Sequence, residues 1–222
     1  MDLLYWFNQV AHLRNLKAVS HSSSGEDDVI EYYLPEGEGE YLDIGAGHPS
    51  RGSNTYKFYR KGWRGVTVEP IWAMNKLHKM LRPYDRQVMR VVAYEQTVCI
   101  MFVFNPTEYS TISTERLSFL IKNGAKPRRI YLIKSITLRD LLKQVSPFDA
   151  FLLSVDVEGE DKGIIRQLTL MGSRPRVVCV EVIEESAHEI HSLLSSVNYK
   201  LVSKTGNNSI FVHEEFLLEG KQ

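Results

Sequence analysis

The sequence predicts an α/β protein: a three-layer sandwich around a mostly parallel, seven-stranded sheet that ends in an antiparallel hairpin. Three observations predict it. From Glu40 onward, short apolar runs alternate with longer stretches of helical periodicity; such βαβ units lay helices over both faces of a parallel sheet. Two runs, Phe151–Val155 (FLLSV) and Val177–Val182 (VVCVEV), are continuously apolar, as strands buried on both faces must be. Gly206-Asn207-Asn208 separates two last runs, Tyr199–Lys204 and Ser209–His213, which is a hairpin signal.

The elements follow in order. Met1–Val19 reads as an amphipathic helix with Leu3, Leu4, Phe7, Val10 and Ala11 on one face, packed against the domain edge. His21–Asp28 (HSSSGEDD) is polar and Ser-rich and reads as a loop. Tyr41–Ile44 is a strand ending in a Gly-rich turn, and Ser53–Arg60 a helix closed by Gly62. Gly65–Val68 is the second strand, followed by a helix over Ala73–Leu81. Val88–Ala93 is the third strand and Val98–Phe104 a fourth apolar run; Asn105–Lys126 is irregular or partly helical. Tyr131–Ser135 is a short strand, and Leu138–Gln144 a helix that stops before Ser146-Pro147, where proline disfavours helix. Helices over Lys162–Leu170 and Glu185–Ser195 complete the pattern. The organisation expected is a helix-and-loop extension over 1–39 and one α/β domain over 40–222.

Composition narrows the function classes. The chain has 222 residues, 43% hydrophobic and 24% charged, with 27 basic and 27 acidic side chains. A net charge of zero offers no general attraction for nucleic acid, so none is expected as partner. Cys99 and Cys179 lie in separate apolar runs, which suits free thiols in a reducing compartment, the cytoplasm. No run approaches the roughly 18 apolar residues of a membrane span, and the start lacks the basic-then-apolar pattern of a signal peptide. A homodimer is left open.

Ligands of open α/β sheets bind beyond the carboxyl ends of the strands. After the first strand stands Asp43-Ile44-Gly45-Ala46-Gly47-His48. Glycines there admit close backbone approach, and a helix start near Ser50–Asn54 offers free amides to an anion. After the second strand stands Glu69, placed to accept hydrogen bonds from ribose hydroxyls. Together these describe a site for an adenosine-bearing ligand. Nicotinamide cofactors need G-x-G-x-x-G; here His48, Pro49, Ser50 and Arg51 separate Gly47 from Gly52, which disfavours them. Asp156-Val157-Glu158-Gly159-Glu160-Asp161 closes the central run. The helix dipole accounts for Glu160 and Asp161 but not for Asp156.

These stretches resemble the FkbM-type methyltransferases, within the class I, Rossmann-like S-adenosylmethionine-dependent fold. The resemblance is carried by YLDIGAGHPSRGSNTYKFYRKGWRGVTVEP, LRPYDRQ, YSTIS, SITLRDLL, FLLSVDVEGED, RPRVVCVEV and NNSIFV, in that order. It implies that Asp43, Gly45 and Gly47 line the methionine part of S-adenosylmethionine, that Glu69 holds its ribose, and that Asp156-Val157-Glu158-Gly159 borders the active centre. Domain 40–222 becomes a methyltransferase domain. The donor-binding set expected is Asp43, Gly45, Ala46, Gly47, Ser53, Asn54, Glu69, Pro70, Ala93 and Asp156. The activity implied is O-methylation of a small or glycan-like hydroxyl acceptor. Asp156 is the first choice for general base or metal ligand, with Glu158 and His48 behind it.

A divalent metal is a further expectation, with Asp156, Glu181, Glu184 and His188 as candidate ligands; Glu184, His188 and His191 share one helical face by spacing. Two readings compete with the enzyme of a small acceptor. An RNA methyltransferase needs a basic groove, for which Arg128-Arg129 and the Arg82/Arg86/Arg90 run are the only clusters. A catalytically inactive S-adenosylmethionine-binding module keeps the donor site and lacks turnover.

Overall fold

The computed structural model describes residues 20–145, 151–172 and 174–217. The helix expected over Met1–Val19 falls outside them. The expected loop over His21–Asp28 stops at Gly25, and α1 (Glu26–Tyr33) begins there. Three acids in its first turn, Glu26, Asp27 and Asp28, favour a helix start. Asp27 also gathers the preceding turn, accepting hydrogen bonds from Ser20 Oγ, His21 N and Ser22 Oγ. The acids that make the segment look like loop in sequence are therefore what begins the helix.

The main sheet joins β1 (Glu40–Ile44), β2 (Arg64–Val68), β3 (Arg86–Val88), β7 (Leu152–Val155), β8 (Val177–Glu181), β9 (Tyr199–Thr205) and β10 (Asn208–His213). Its order is β3-β2-β1-β7-β8-β10-β9. β10 is antiparallel to both neighbours, and the other pairings are parallel. This is the seven-stranded sheet with a terminal hairpin that the alternation predicts. Leu42 sits beside Val66 on one side and Leu153 on the other.

One face carries Leu42, Ile44, Leu153, Val155, Val178 and Val180 in a single core. Covering it are α5 (Leu138–Val145), α6 (Asp161–Met171) and α7 (Glu184–Ser195), through Leu141, Ile165, Leu168, Ile190 and Leu194. The opposite face, with Tyr41, Leu152, Cys179 and Ile210, packs under Ile30 and Leu34 of the α1 region and Phe58 of α2 (Tyr56–Arg60). Both faces are thus dry, which explains the unbroken apolar character of β7 and β8.

Two expectations need correction. The run Val88–Ala93 is not one strand: β3 ends at Val88, and β4 (Val91–Val92) belongs to a separate sheet of order β4-β6-β5. Met89 and Arg90 between them are exposed, so the chain leaves one sheet and enters the other. β5 (Val98–Val103) and β6 (Arg129–Ile136) complete this small sheet, so the fourth apolar run never joins the main one. Between β5 and β6 lie the 3-10 turn Thr107–Tyr109 and α4 (Thr114–Lys122); α3 (Trp72–Leu81) follows β2, and α8 (Glu214–Leu217) follows β10.

Candidate active site

β1 delivers the chain to Gly45 at φ +79°, where a Cβ would lie 1.7 Å from the carbonyl oxygen of Asp156. The backbones leaving β1 and β7 meet here, and no side chain fits. Gly47, at φ +52°, has only the Gly45 carbonyl 3.9 Å from an added Cβ. Gly45→Ala is therefore expected to destabilise the protein by roughly 3–5 kcal/mol, summing left-handed strain and overpacking. Gly47→Ala should cost only about 1–2 kcal/mol, from strain alone. Denaturant unfolding of the pair checks this, and equal losses would remove the close approach as the cause.

The loop is built from its own polar atoms. Gly45 N and Ala46 N both donate to Val68 O, at 2.9 and 3.1 Å. His48 Nδ1 accepts from Ser50 N and Arg51 N, each at 3.1 Å. That commits the ring to the neutral form with its proton on Nε2, so His48 acts here as a turn-former. Burial holds His78 well below its usual value, so it is neutral and its Nε2 donates to Gly47 O at 3.1 Å. The free amides expected over Ser50–Asn54 are largely taken, because Ser50 and Arg51 serve His48 and Ser53 N donates to His21 O. Ser53 Oγ in turn receives Thr55 N and Tyr56 N, which delays the helix to Tyr56.

Glu69 stands at the end of β2. Its Oε2 accepts from Gly47 N at 2.9 Å and its Oε1 from Ile71 N at 2.7 Å. Burial pushes its carboxyl up to about 8, against the pull of those two amides. The glycine loop and this carboxylate therefore converge, as the strand-end argument requires. They border a cavity of about 380 Å³, within the range of small-molecule sites.

Of the expected residues, Gly45, Ala46, Gly47, His48, Glu69, Pro70, Asp156 and Glu158 line that cavity. Asp43, Ser53, Asn54 and Ala93 are buried outside its wall. Asp43 is held from below, accepting from Thr55 Oγ1 and lying 4.0 Å from Arg82; Asn54 donates to Ser154 Oγ. These four residues stand behind the lining.

At the end of β7 the acids gather. Asp156, Glu158 and Glu181 bring carboxylate oxygens within 4.8 Å of one another. Burial, then Glu181, raises Glu158 to about 8, and the same two causes raise Asp161 to about 7. Asp156 is pushed well above the usual carboxylate range by burial and by Glu181, Asp161 and Glu158. Asp156 and Glu181 are hydrogen-bonded to each other, so they share a proton as crowded carboxylates do. Glu158 is held at φ +55°, a strained backbone of the kind found at functional sites. Asp161 faces away, accepting from Val157 N and Gly159 N. The three clustered acids are the set that could hold a hard divalent cation. Glu184 and His188 are exposed on α7 and outside the cluster.

Two contributors were not singled out from sequence. Arg116 of α4 pairs with Glu158, its Nε 2.8 Å and its second nitrogen 2.6 Å from Oε2. Thr111 Oγ1 donates to Glu158 O at 2.7 Å. Thr111 falls in the YSTIS stretch, whose place in the family pattern was its only signal. Arg116 had none.

A family profile described as the methyltransferase FkbM domain matches residues 43–201, more than half of the chain. Among solved structures, the fold is similar to a TehB-like SAM-dependent methyltransferase from Corynebacterium glutamicum ATCC 13032 Kitasato, at 13% identity and TM-score 0.49, covering 96% of this chain and 100% of that one. It is similar to methyltransferase FkbM from Methylobacillus flagellatus KT, at 11% identity and TM-score 0.48, covering 81% and 45%. Monomeric WbdD gives 10% identity and TM-score 0.50, covering 95% and 44%; this chain spans less than half of the last two. A search of curated proteins gives no match. At such identities the structures speak only to fold, whereas the profile runs from the base of the glycine loop, through Glu69 and the acid cluster, into β9: the chain belongs to the FkbM family of methyltransferases.

Proposed function

We propose that this protein transfers the methyl group of S-adenosylmethionine to a hydroxyl oxygen of a small or glycan-like acceptor. The observation that carries the reading is one cavity whose wall brings two kinds of chemistry together. Gly45–Gly47 and Glu69 form one part of that wall, a backbone cradle beside a carboxyl group. Asp156 and Glu158, at the end of the adjoining strand β7, form another. The cradle fits the donor: Glu69, already oriented by two amides, has acceptor capacity left for ribose hydroxyls. When bound there, the donor supplies an electrophilic methyl group on a sulfonium.

This chain's residues do the rest. Asp156, in its ionised form, orients the acceptor hydroxyl and takes its proton as the oxygen gains the methyl group; Glu181, the carboxyl beside it, shares that proton. Arg116 pairs with Glu158, opposing the rise of its carboxyl, and holds the loop before α6 in place. Holding the acceptor in line accounts for up to about 7–11 kcal/mol of barrier lowering. The donor-binding residues of this reading are Gly45, Ala46, Gly47, Glu69 and Pro70, with Asp43, Ser53, Asn54 and Ala93 beneath them. A divalent ion, if the reaction uses one, belongs on Asp156, Glu158 and Glu181, and chelation would then abolish turnover.

The RNA reading loses its basic run. Arg82 is fully buried, and Arg86 is tied to Gln144 O at 2.6 Å, so Arg82, Arg86 and Arg90 do not form a groove.

Calorimetric titration with S-adenosylmethionine and its demethylated product tests the donor half. Glu69→Ala should weaken binding about 10–100-fold, the worth of a charged hydrogen bond. Wild-type affinity in that variant would contradict the ribose assignment. Methyl-labelled donor with hydroxyl-bearing glycans, followed by mass spectrometry, tests the acceptor half. Transfer to nitrogen or carbon instead of oxygen would overturn that half alone, and donor binding without any turnover would leave a binding module.

A further inference from the structure

The small sheet that walls the cavity has a second face that nothing described covers. Its ladder pairs Val98 with Lys134, Ile100 with Leu132 and Phe102 with Ile130, and directly opposed residues share a face. The inner face, with Met101, Val103, Tyr131 and Ile133, packs on Val91 and Ala93. On the outer face Val98 is 55% exposed, Ile100 49%, Ile130 59% and Leu132 71%. A solvated strand face is ordinarily polar; this one is aliphatic, and contiguous apolar surface of this kind marks an interaction site.

Charge frames it. Lys134 sits on the same face opposite Val98, and alternation puts Arg128, two residues before Ile130, on that side too. Residues 122–134 carry Lys122, Lys126, Arg128, Arg129 and Lys134 and no acid, in a chain of zero net charge. None of these five is ion-paired among the described residues. An aliphatic surface rimmed by unpaired cations is the chemistry that binds an anionic bilayer, with apolar side chains in the headgroup boundary and basic ones on phosphates.

We propose that the outer face of β5 and β6 docks the protein on an anionic lipid surface. A second copy of the chain fits this face poorly, because a two-fold contact sets the patch against itself and opposes its cations. RNA fits poorly because bases stack on aromatic platforms, and here the exposed side chains are Val, Ile and Leu, with Phe102, the aromatic of this ladder, half-buried. Among the described residues no helix is long and apolar enough to cross a membrane, and the attachment proposed is through this face. The inference does not rest on methyl transfer and is measured without turnover.

The test is co-sedimentation of the full chain with vesicles of phosphatidylcholine alone or mixed with phosphatidylglycerol. Binding is expected to the mixed vesicles only, and to fall with salt. Ile100→Glu with Leu132→Glu should reduce it at least about tenfold, and Leu132→Ser should reduce it less. Arg128→Glu and Lys134→Glu should each reduce it roughly fivefold or more. Circular dichroism and melting of the same variants show that they fold, and donor affinity should stay at the wild-type value. Failure of the folded wild type to bind anionic vesicles overturns the proposal. So does a wild-type dimer in sedimentation velocity that Leu132→Ser dissociates, or RNA binding that Arg128→Glu abolishes while vesicle binding persists.

Discussion

Replacing Arg82 with methionine is expected to lower stability by about 3–5 kcal/mol, the loss seen when one partner of a buried charge set is removed. Arg82 is fully buried at the end of α3. Its Nε donates to Pro49 O at 2.7 Å, and its two terminal nitrogens to Thr55 Oγ1 at 2.8 Å and Ser53 Oγ at 2.6 Å. Asp43 and Asp85 lie 4.0 and 3.8 Å away. Burial raises both carboxyls, and Arg82 is the charge opposing that rise. Without it, two buried acids lose their cation and three acceptors lose a donor. Lysine will not rescue it, because one ammonium cannot reproduce a planar fork reaching three acceptors. The bond to Pro49 adds a functional consequence: the glycine loop loses its anchor, so donor affinity falls with stability. Guanidinium unfolding and thermal melting check this, with a drop of roughly 10 °C expected for a chain of this size. A loss below about 1 kcal/mol would show that the arginine does not organise the loop.

Asp156→Asn is expected to reduce turnover by about 10²–10⁴-fold, the range for a general base, while leaving donor affinity unchanged. It is also expected to make the protein more stable, increasingly so as pH rises. The reason is linkage. The folded carboxyl of Asp156 is raised well above its unfolded value by burial and by Glu181, Asp161 and Glu158. A group so raised contributes stability below its unfolded pKa and loses it as pH climbs toward the folded value. Asparagine carries no such charge, so its melting temperature should exceed the wild type's at pH 8 and approach it near pH 4. Wild-type turnover in the variant would remove Asp156 from the mechanism. A variant less stable at alkaline pH would show that its carboxylate is compensated in the folded state.

Much of this was legible in the chain. The continuous apolar runs around Leu153 and Val178 betray burial on two faces, which only a covered sheet provides. Gly45 and Glu69 were readable because strand ends in this fold are where ligands bind, and a small residue or an acid there has few other uses. Asp156 stood out because a helix dipole explains acids inside the first turn but not one before it. α1 was missed because Glu26, Asp27 and Asp28 look equally polar in a loop and in a helix's first turn.

Sequence alone determined the sheet, its hairpin and the convergence of glycine loop and strand-end acid, since alternation and spacing are local properties that survive in one dimension. Tertiary structure decided the rest. Arg82 and Arg86 are indistinguishable as letters, yet one is the buried anchor of the loop and the other binds a carbonyl at the surface. Arg116 and Glu158, 42 positions apart, become partners only when α4 folds over the end of β7. The same holds for the small sheet: nothing local to Ile100 and Leu132 says that their side of the ladder stays open. Burial and partnership between distant residues depend on packing, and packing is decided when the whole chain has closed.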